Sequence, residues 1–118
     1  MQQTLDPVTL DEFRRLLERK RSELIQKWLH PDEYAAERFA DALDGLVSQA
    51  ARQVVAEQMN RYSITLADID GAIGRIADGS YGVCTECGAP ILAKRLSALP
   101  WTTHCLFCQQ IHDRSLAS

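Results

Sequence analysis

Residues 55–76 read VAEQMNRYSITLADIDGAIGRI, and their pattern decides the fold. Val55, Met59, Tyr62, Leu66, Ile69, Ile73 and Ile76 recur with spacings of four, three, four, three, four and three. That alternation is the seam of a coiled coil, held here over three heptads. Upstream the same register falls on Ser48 and Arg52, so the seam grows polar toward Gly45. The spacing predicts a helix from about Leu46 to Ala77, ~48 Å long at ~1.5 Å per residue. A helix of that length exceeds the diameter of a domain this size and has to project.

An apolar stripe needs a partner, and the preceding sequence supplies one. Thr9-Leu-Asp-Glu12 has the form of a capping box, in which threonine and glutamate satisfy free backbone donors. Leu10, Phe13, Leu17, Leu24 and Trp28 follow, mostly at helical spacing, which predicts a helix from about Leu10 to Leu29. Pro31 cannot continue it without losing a backbone hydrogen bond, so a break falls near His30. Proline suits the first position of a new helix, and Asp32 and Glu33 suit that end of its dipole. A shorter helix from Pro31 to about Leu43 is expected, with Tyr34, Ala35 and Phe39 as its apolar face. The chain is therefore read as mostly α. A short tail over residues 1–8 precedes a long antiparallel helical hairpin over 9–78, which turns near 41–45. Gly79 then suits the left-handed cap of the long helix.

Residues 79–118 carry the chemistry. All four cysteines lie here, as Cys84-Thr-Glu-Cys87 and Cys105-Leu-Phe-Cys108, with 17 residues between the pairs. Two cysteines three apart can place both sulfurs on one tetrahedral metal, and two such knuckles close a four-thiolate site. Four thiolates leave no open position for water, so the expected ion is one structural Zn2+ held by Cys84, Cys87, Cys105 and Cys108. An iron–sulfur cluster and a redox dithiol are the alternatives. Gly82 and Gly88 favour zinc, because a knuckle needs tight turns. His104 and His112 are read as surface residues, Trp101 as packing the finger on the hairpin base, and Gln109 to Arg114 as a short terminal helix.

Composition narrows the function. The formal net charge is −3, and no run of residues is apolar enough over ~20 positions to cross a bilayer. The start, Met-Gln-Gln-Thr-Leu-Asp-Pro, lacks the charged head and apolar core of a signal peptide, so a cytoplasmic protein is expected. Clustered thiols in a reducing compartment are metal ligands rather than disulfides. There is no nucleophile–base pair, glycine-rich phosphate loop or open metal position, so no enzymatic activity is expected. Arg14, Arg15, Arg19, Lys20, Arg21 and Lys27 make the first helix basic, whereas residues 31–45 hold five acids against one arginine.

Tyr81 to Gly88, then Arg95 to Pro100, then Cys105 to Cys108, behind a helical hairpin, resemble the DksA/TraR zinc-finger family of bacterial transcription factors. The resemblance implies a regulator that binds RNA polymerase rather than DNA. It inserts the hairpin into the secondary channel, through which nucleotides enter, and alters the stability of promoter complexes. In better-known members the tip carries Asp-x-x-Asp, with the second aspartate 40 positions before the first zinc cysteine. Asp44 stands 40 before Cys84, and Asp41 three before Asp44, so the resemblance assigns these two to the tip near the active centre. Gly45-Leu46 after Asp44 and Pro31 within the arm depart from the family pattern. Arg61, off the seam, is placed where the family contacts the polymerase rim. The resemblance also implies a site for the alarmone guanosine tetraphosphate. Its basic contact positions are here Asp68, Leu99 and Gln109, none of which pairs with phosphate. Weak or absent alarmone potentiation is expected, and the protein should act as a monomer. The alternative reading is a zinc-finger module that binds DNA or another protein directly.

Overall fold

The computed structural model describes residues 5–39 and 49–117. Five helices follow one another: α1 (Pro7–Leu29), α2 (Pro31–Arg38), α3 (Gln49–Asp78), α4 (Ala93–Ala98) and α5 (Leu106–Ala117). No strand is present among the described residues; the one β-bridge joins Val83 and Pro90 in antiparallel fashion. The chain is mostly α, as its patterning indicates.

Helix α1 begins earlier than Leu10, and its cap is not Thr9. Asp6 Oδ1 accepts the Thr9 N–H at 2.8 Å, while the Asp6 carbonyl accepts the Leu10 N–H at 3.0 Å. Asp6 is thus the N-cap, with Pro7 at the first helical position. Proline wins that position because its missing N–H costs nothing there and its φ is already helical. The Thr9 amide holds the Asp6 carboxyl below the usual carboxylate range. At the other end His30 separates α1 from α2, as Pro31 requires. Its ring Nδ1–H donates to the Gln26 carbonyl at 2.7 Å, satisfying one acceptor in the last turn of α1. Helix α2 ends at Arg38, where Phe39 is extended at φ −127° and ψ 96°; the rest of the expected helix, residues 40–43, lies outside the described residues.

Contacts group the chain into two compact units, each described by itself. One runs from Arg19 to Ala67; the other joins the residues up to Glu18 with those from Asp68 on. These units cut across α1 and α3 instead of dividing hairpin from finger at residue 78. All seven seam positions of α3 are buried or half-buried, whereas Arg61, off the seam, is exposed. Within the 19–67 unit, Leu24, Ile25, Tyr34, Ala35 and Phe39 are half-buried, and Tyr34 and Tyr62 line one small cavity. Trp28, expected on the apolar face, is 45% exposed, and Ile25 is the half-buried residue in that turn.

The other unit holds the best-buried core: Phe13 and Leu17 from α1, Ile69 and Ala72 from α3, then Tyr81, Ile91, Leu96 and Pro100. Its hinge is the end of α3. Gly79 has φ +85°, and the Ser80 and Tyr81 amides both donate to the Arg75 carbonyl, at 3.0 and 3.2 Å. The Ser80 bond is the long bond of a Schellman cap, which needs a left-handed residue where Gly79 stands. The turn delivers Tyr81 against Phe13, ring centroids 5.6 Å apart. Its hydroxyl donates to the buried Pro100 carbonyl at 2.7 Å.

Tyr81 therefore ties the finger to the helix base, and a prediction follows. Tyr81→Phe leaves the Pro100 carbonyl unpaired and should cost about 1–3 kcal/mol in urea unfolding of the zinc-loaded protein. Burial pushes the Tyr81 hydroxyl from the ordinary 10.0 up to about 12. The native state keeps this proton when the unfolded chain loses it, so the tyrosine's contribution is intact below pH 10 and lost as pH rises toward about 12. The phenylalanine variant should lack that alkaline component. An unchanged unfolding midpoint in the variant would dismiss the tie.

Candidate metal centre

Each knuckle is built by backbone geometry. After Tyr81 the chain pairs Val83 with Pro90, the Ile91 amide donating to the Gly82 carbonyl at 2.8 Å and the Cys84 amide to the Ala89 carbonyl at 2.8 Å. The loop between closes through the Gly88 amide on the Cys84 carbonyl at 3.0 Å, with Gly88 at φ +74°. A side chain at that φ is strained, which is why glycine follows Cys87. The second knuckle opens α5. The Cys108 amide points at Cys105 Sγ at 3.5 Å, and the Gln109 amide bonds the Cys105 carbonyl at 3.0 Å. The terminal helix thus starts inside the knuckle, at Leu106, three residues earlier than expected.

Two clamps register the knuckles. Thr85 donates to the Thr103 carbonyl from its amide at 2.9 Å and from its hydroxyl at 3.2 Å. Arg95 donates from Nε to the His104 carbonyl at 3.0 Å. Arg95 carries no metal and had no role assigned from sequence; its task is to hold the approach to Cys105.

The four cysteine sulfurs lie within 4.8 Å of one another, and Cys87 and Cys105 are 3.9 Å apart. Tetrahedral zinc with bonds of ~2.3 Å separates its sulfurs by ~3.8 Å, so the donor set fits. Burial pushes the Cys84 thiol up, but the backbone N–H groups of Cys105, Cys87 and Glu86 outweigh it and bring it down to about 6. Cys108 moves the other way, raised by burial and then by its three sulfur neighbours. Thiols this close cannot all ionise without a cation among them, and a divalent ion removes that conflict.

A sequence profile described as the prokaryotic dksA/traR C4-type zinc finger matches residues 79–114. The solved structure of transcription factor DksA2 from Pseudomonas aeruginosa is 30% identical, with a TM-score of 0.76 over 97% of this chain and 90% of that one. The chain belongs to the DksA/TraR family. Its four cysteines are the ligands of that family's structural zinc. The RNA polymerase-binding transcription factor DksA of Caulobacter vibrioides is 37% identical over 78 residues, 66% of this chain. The matched stretch spans 55% of that relative's length. A Chlamydia trachomatis protein, 20% identical at a TM-score of 0.59, shares the fold.

The remaining positions that the DksA/TraR resemblance singles out are distributed as follows. Asp41 and Asp44 lie outside the described residues. Arg61 is exposed on α3 and donates to Gln58 Oε1 at 2.8 Å. Asp68, Leu99 and Gln109, far apart in sequence, do come together: they line one open cavity of about 500 Å³ with Arg95, Trp101 and Asp113. Trp101 is half-buried and lines that cavity together with Asp68. His104 and His112, read from sequence as ordinary surface residues, are stacked with ring centroids 6.0 Å apart.

Proposed function

We propose that this protein binds RNA polymerase through the secondary channel and modulates transcription initiation, without reading DNA sequence. The observation that carries the proposal is the likeness, over nearly the whole chain, to a solved transcription factor of the same family. A Caulobacter relative named as an RNA polymerase-binding transcription factor supports the choice of partner. In this reading the functional unit is the hairpin of residues 9–78, anchored by the finger of 79–118. Asp41 and Asp44 act at the polymerase active centre, and Arg61 contacts the polymerase. The protein works as a monomer in the cytoplasm, as a binding protein rather than a catalyst. No helix among the described residues is long and apolar enough to cross a membrane.

Direct DNA binding is the competing reading, and charge argues against it. From Gly79 onward the only lysine or arginine residues are Lys94, Arg95 and Arg114. Arg95 is committed to the His104 carbonyl, and no basic stripe runs along α5. On α1, Arg14 is paired with Asp11 and Glu18, and Arg15 with Asp11. Two of the six basic residues of that helix are thereby engaged with carboxylates.

Alarmone dependence is expected to be weak. The cavity lined by Asp68, Leu99 and Gln109 sets two aspartates, Asp68 and Asp113, against the single cation Arg95. A tetraphosphate needs the opposite balance. One experiment covers both points. The protein should co-purify with core RNA polymerase, should not shift promoter DNA alone, and should bind polymerase equally with and without guanosine tetraphosphate. A shift of free DNA without polymerase retention would favour the competing reading. Tighter polymerase binding with the nucleotide would refute the alarmone reading.

A further inference from the structure

Helix α5 packs on very little. Of its described side chains, Leu106 to Ser115, only Cys108 and Gln109 are half-buried, and the rest are exposed. Helices below ~12–15 residues are marginal in water without tertiary packing, and α5 has 12. Two devices hold it. The second knuckle fixes its first turn between Cys105 and Cys108, and Gln109 Nε2 donates to Asp113 Oδ1 at 2.9 Å one turn further on.

The exposed side of this short helix is apolar where a free helix should be polar. Leu106, Phe107, Gln110, Ile111 and Arg114 share one face by helical spacing. Leu106 is 56% exposed, Phe107 69% and Ile111 47%. Together the three expose on the order of 300 Å² of apolar surface, a size at which the largest patch of a monomer is often functional. Leu106 and Ile111 border the two finger cavities, one on each flank, whereas Phe107 lines neither and lies between them on the helix. No ring contact engages Phe107 among the described residues. Phe107 stands between two metal ligands, Cys105 and Cys108, so the closed zinc centre fixes its backbone. A side chain held in this way loses little conformational freedom on docking.

We infer that this face of α5 docks into an apolar groove on RNA polymerase, with Phe107 as its central anchor. The inference rests on the polymerase-binding reading above. Area decides between that partner and a second copy of this chain. A standard stable interface buries ~800 Å² on each partner. The apolar face of α5 supplies less than half of that, so it does not hold two copies together by itself. It suits a partner already gripped elsewhere, and in the functional reading the hairpin shaft grips polymerase. A small apolar contact then adds to affinity, because the larger contact has already met the entropy of association. Anchors of this kind are aromatic and ringed by polar side chains, and Gln110 and Arg114 supply that rim.

Zinc-loaded variants are competed against labelled unaltered protein for core RNA polymerase. Phe107→Ser and Ile111→Ser should each weaken binding, Phe107→Ser by about tenfold or more, the loss typical of an interface anchor. Phe107→Trp should restore most of it. Zinc content and far-ultraviolet circular dichroism should match the parent in each variant, because these side chains are exposed. Leu92→Ser is the control: Leu92 is 75% exposed but lies outside α5, and its loss should leave polymerase binding unchanged. The free protein should sediment as a monomer. Unaltered protein that fails to bind core polymerase would overturn the inference together with the functional reading. Where the unaltered protein does bind, parent-like binding by Phe107→Ser, or by Ile111→Ser should the former lose zinc, would overturn the inference alone. So would equal weakening by Leu92→Ser, the mark of unspecific apolar adhesion, or a dimer of the free protein that Phe107→Ser dissociates.

Discussion

Removing zinc, by chelation or by replacing Cys108 with serine, should unfold the segment from Gly79 onward, and trypsin should then cut rapidly after Arg95. The reason is the small amount of other structure available to hold that segment. Apart from α5, the described part of that segment holds one isolated bridge, Val83 to Pro90 across the first knuckle, and a six-residue helix, Ala93–Ala98. Its fully buried side chains are few, chiefly Ile91, Leu96 and Pro100. A segment below about 40 residues rarely folds on apolar burial alone. Structural zinc binding is worth about 10–16 kcal/mol apparent, as large as the whole stability of an ordinary domain. Arg95 is protected in the folded state because its guanidinium grips the His104 carbonyl, one residue from Cys105, and that grip is lost with the knuckle. Far-ultraviolet circular dichroism should retain most of its helical signal, since α1 and α3 are the longest helices and carry the apolar seam. Serine at position 108 leaves three thiolates and a weak oxygen donor, so it should approach the chelated state, not the native one. Apoprotein as resistant at Arg95 as the zinc-loaded form would show that the finger folds without its metal.

The sequence discloses some features of this fold and withholds others, for identifiable physical reasons. The seam from Val55 to Ile76 is legible because burial repeats with the helix period, and one register places all seven seam residues inward while Ile64, off it, stays exposed. Gly79 is legible because few other residues accept its φ. The four cysteines are legible because ligand spacing within a knuckle is local. The start of α1 is harder to read, since Asp6-Pro7 and Thr9-to-Glu12 are both sound caps, and the local pattern does not rank them. Proline's fixed φ decides for Asp6. Trp28 shows the opposite failure. Helical spacing puts it on the apolar stripe, but the stripe drifts along a real helix and Ile25 is half-buried in its stead. That Glu86, His104 and His112 line one cavity leaves no trace in the spacing. It arises only when the two knuckles are brought together and Thr85 bonds Thr103. The convergence of Asp68, Leu99 and Gln109 on one cavity likewise depends on tertiary contacts, and only the family resemblance names those residues together.

Replacing Asp41 and Asp44 together by asparagine should abolish the effect on transcription while changing polymerase affinity by less than about threefold, under ~0.7 kcal/mol. Asparagine keeps the size and hydrogen-bonding reach of aspartate and removes only its charge. The substitution therefore isolates electrostatics from shape. If the hairpin shaft docks through its sides, with Arg61 among the contacts, the docking energy lies away from the tip and survives. What is lost is the pair of negative charges delivered to a centre that binds magnesium. Carboxylates are hard oxygen donors for such an ion, and their field acts strongly where water is excluded. The acidic stretch from Asp32 to Asp44, against the single Arg38, would repel nucleic-acid phosphate and suit a magnesium-bearing channel. In vitro transcription from a stable-RNA promoter gives the readout, with the variant also competed against unaltered protein for polymerase. Arg61→Ala is the complementary change: it should weaken binding and leave the effect at saturation intact. A double variant that still alters transcript yield as the parent does would remove these aspartates from the mechanism. One that loses polymerase binding altogether would make the tip a docking element and not the acting group.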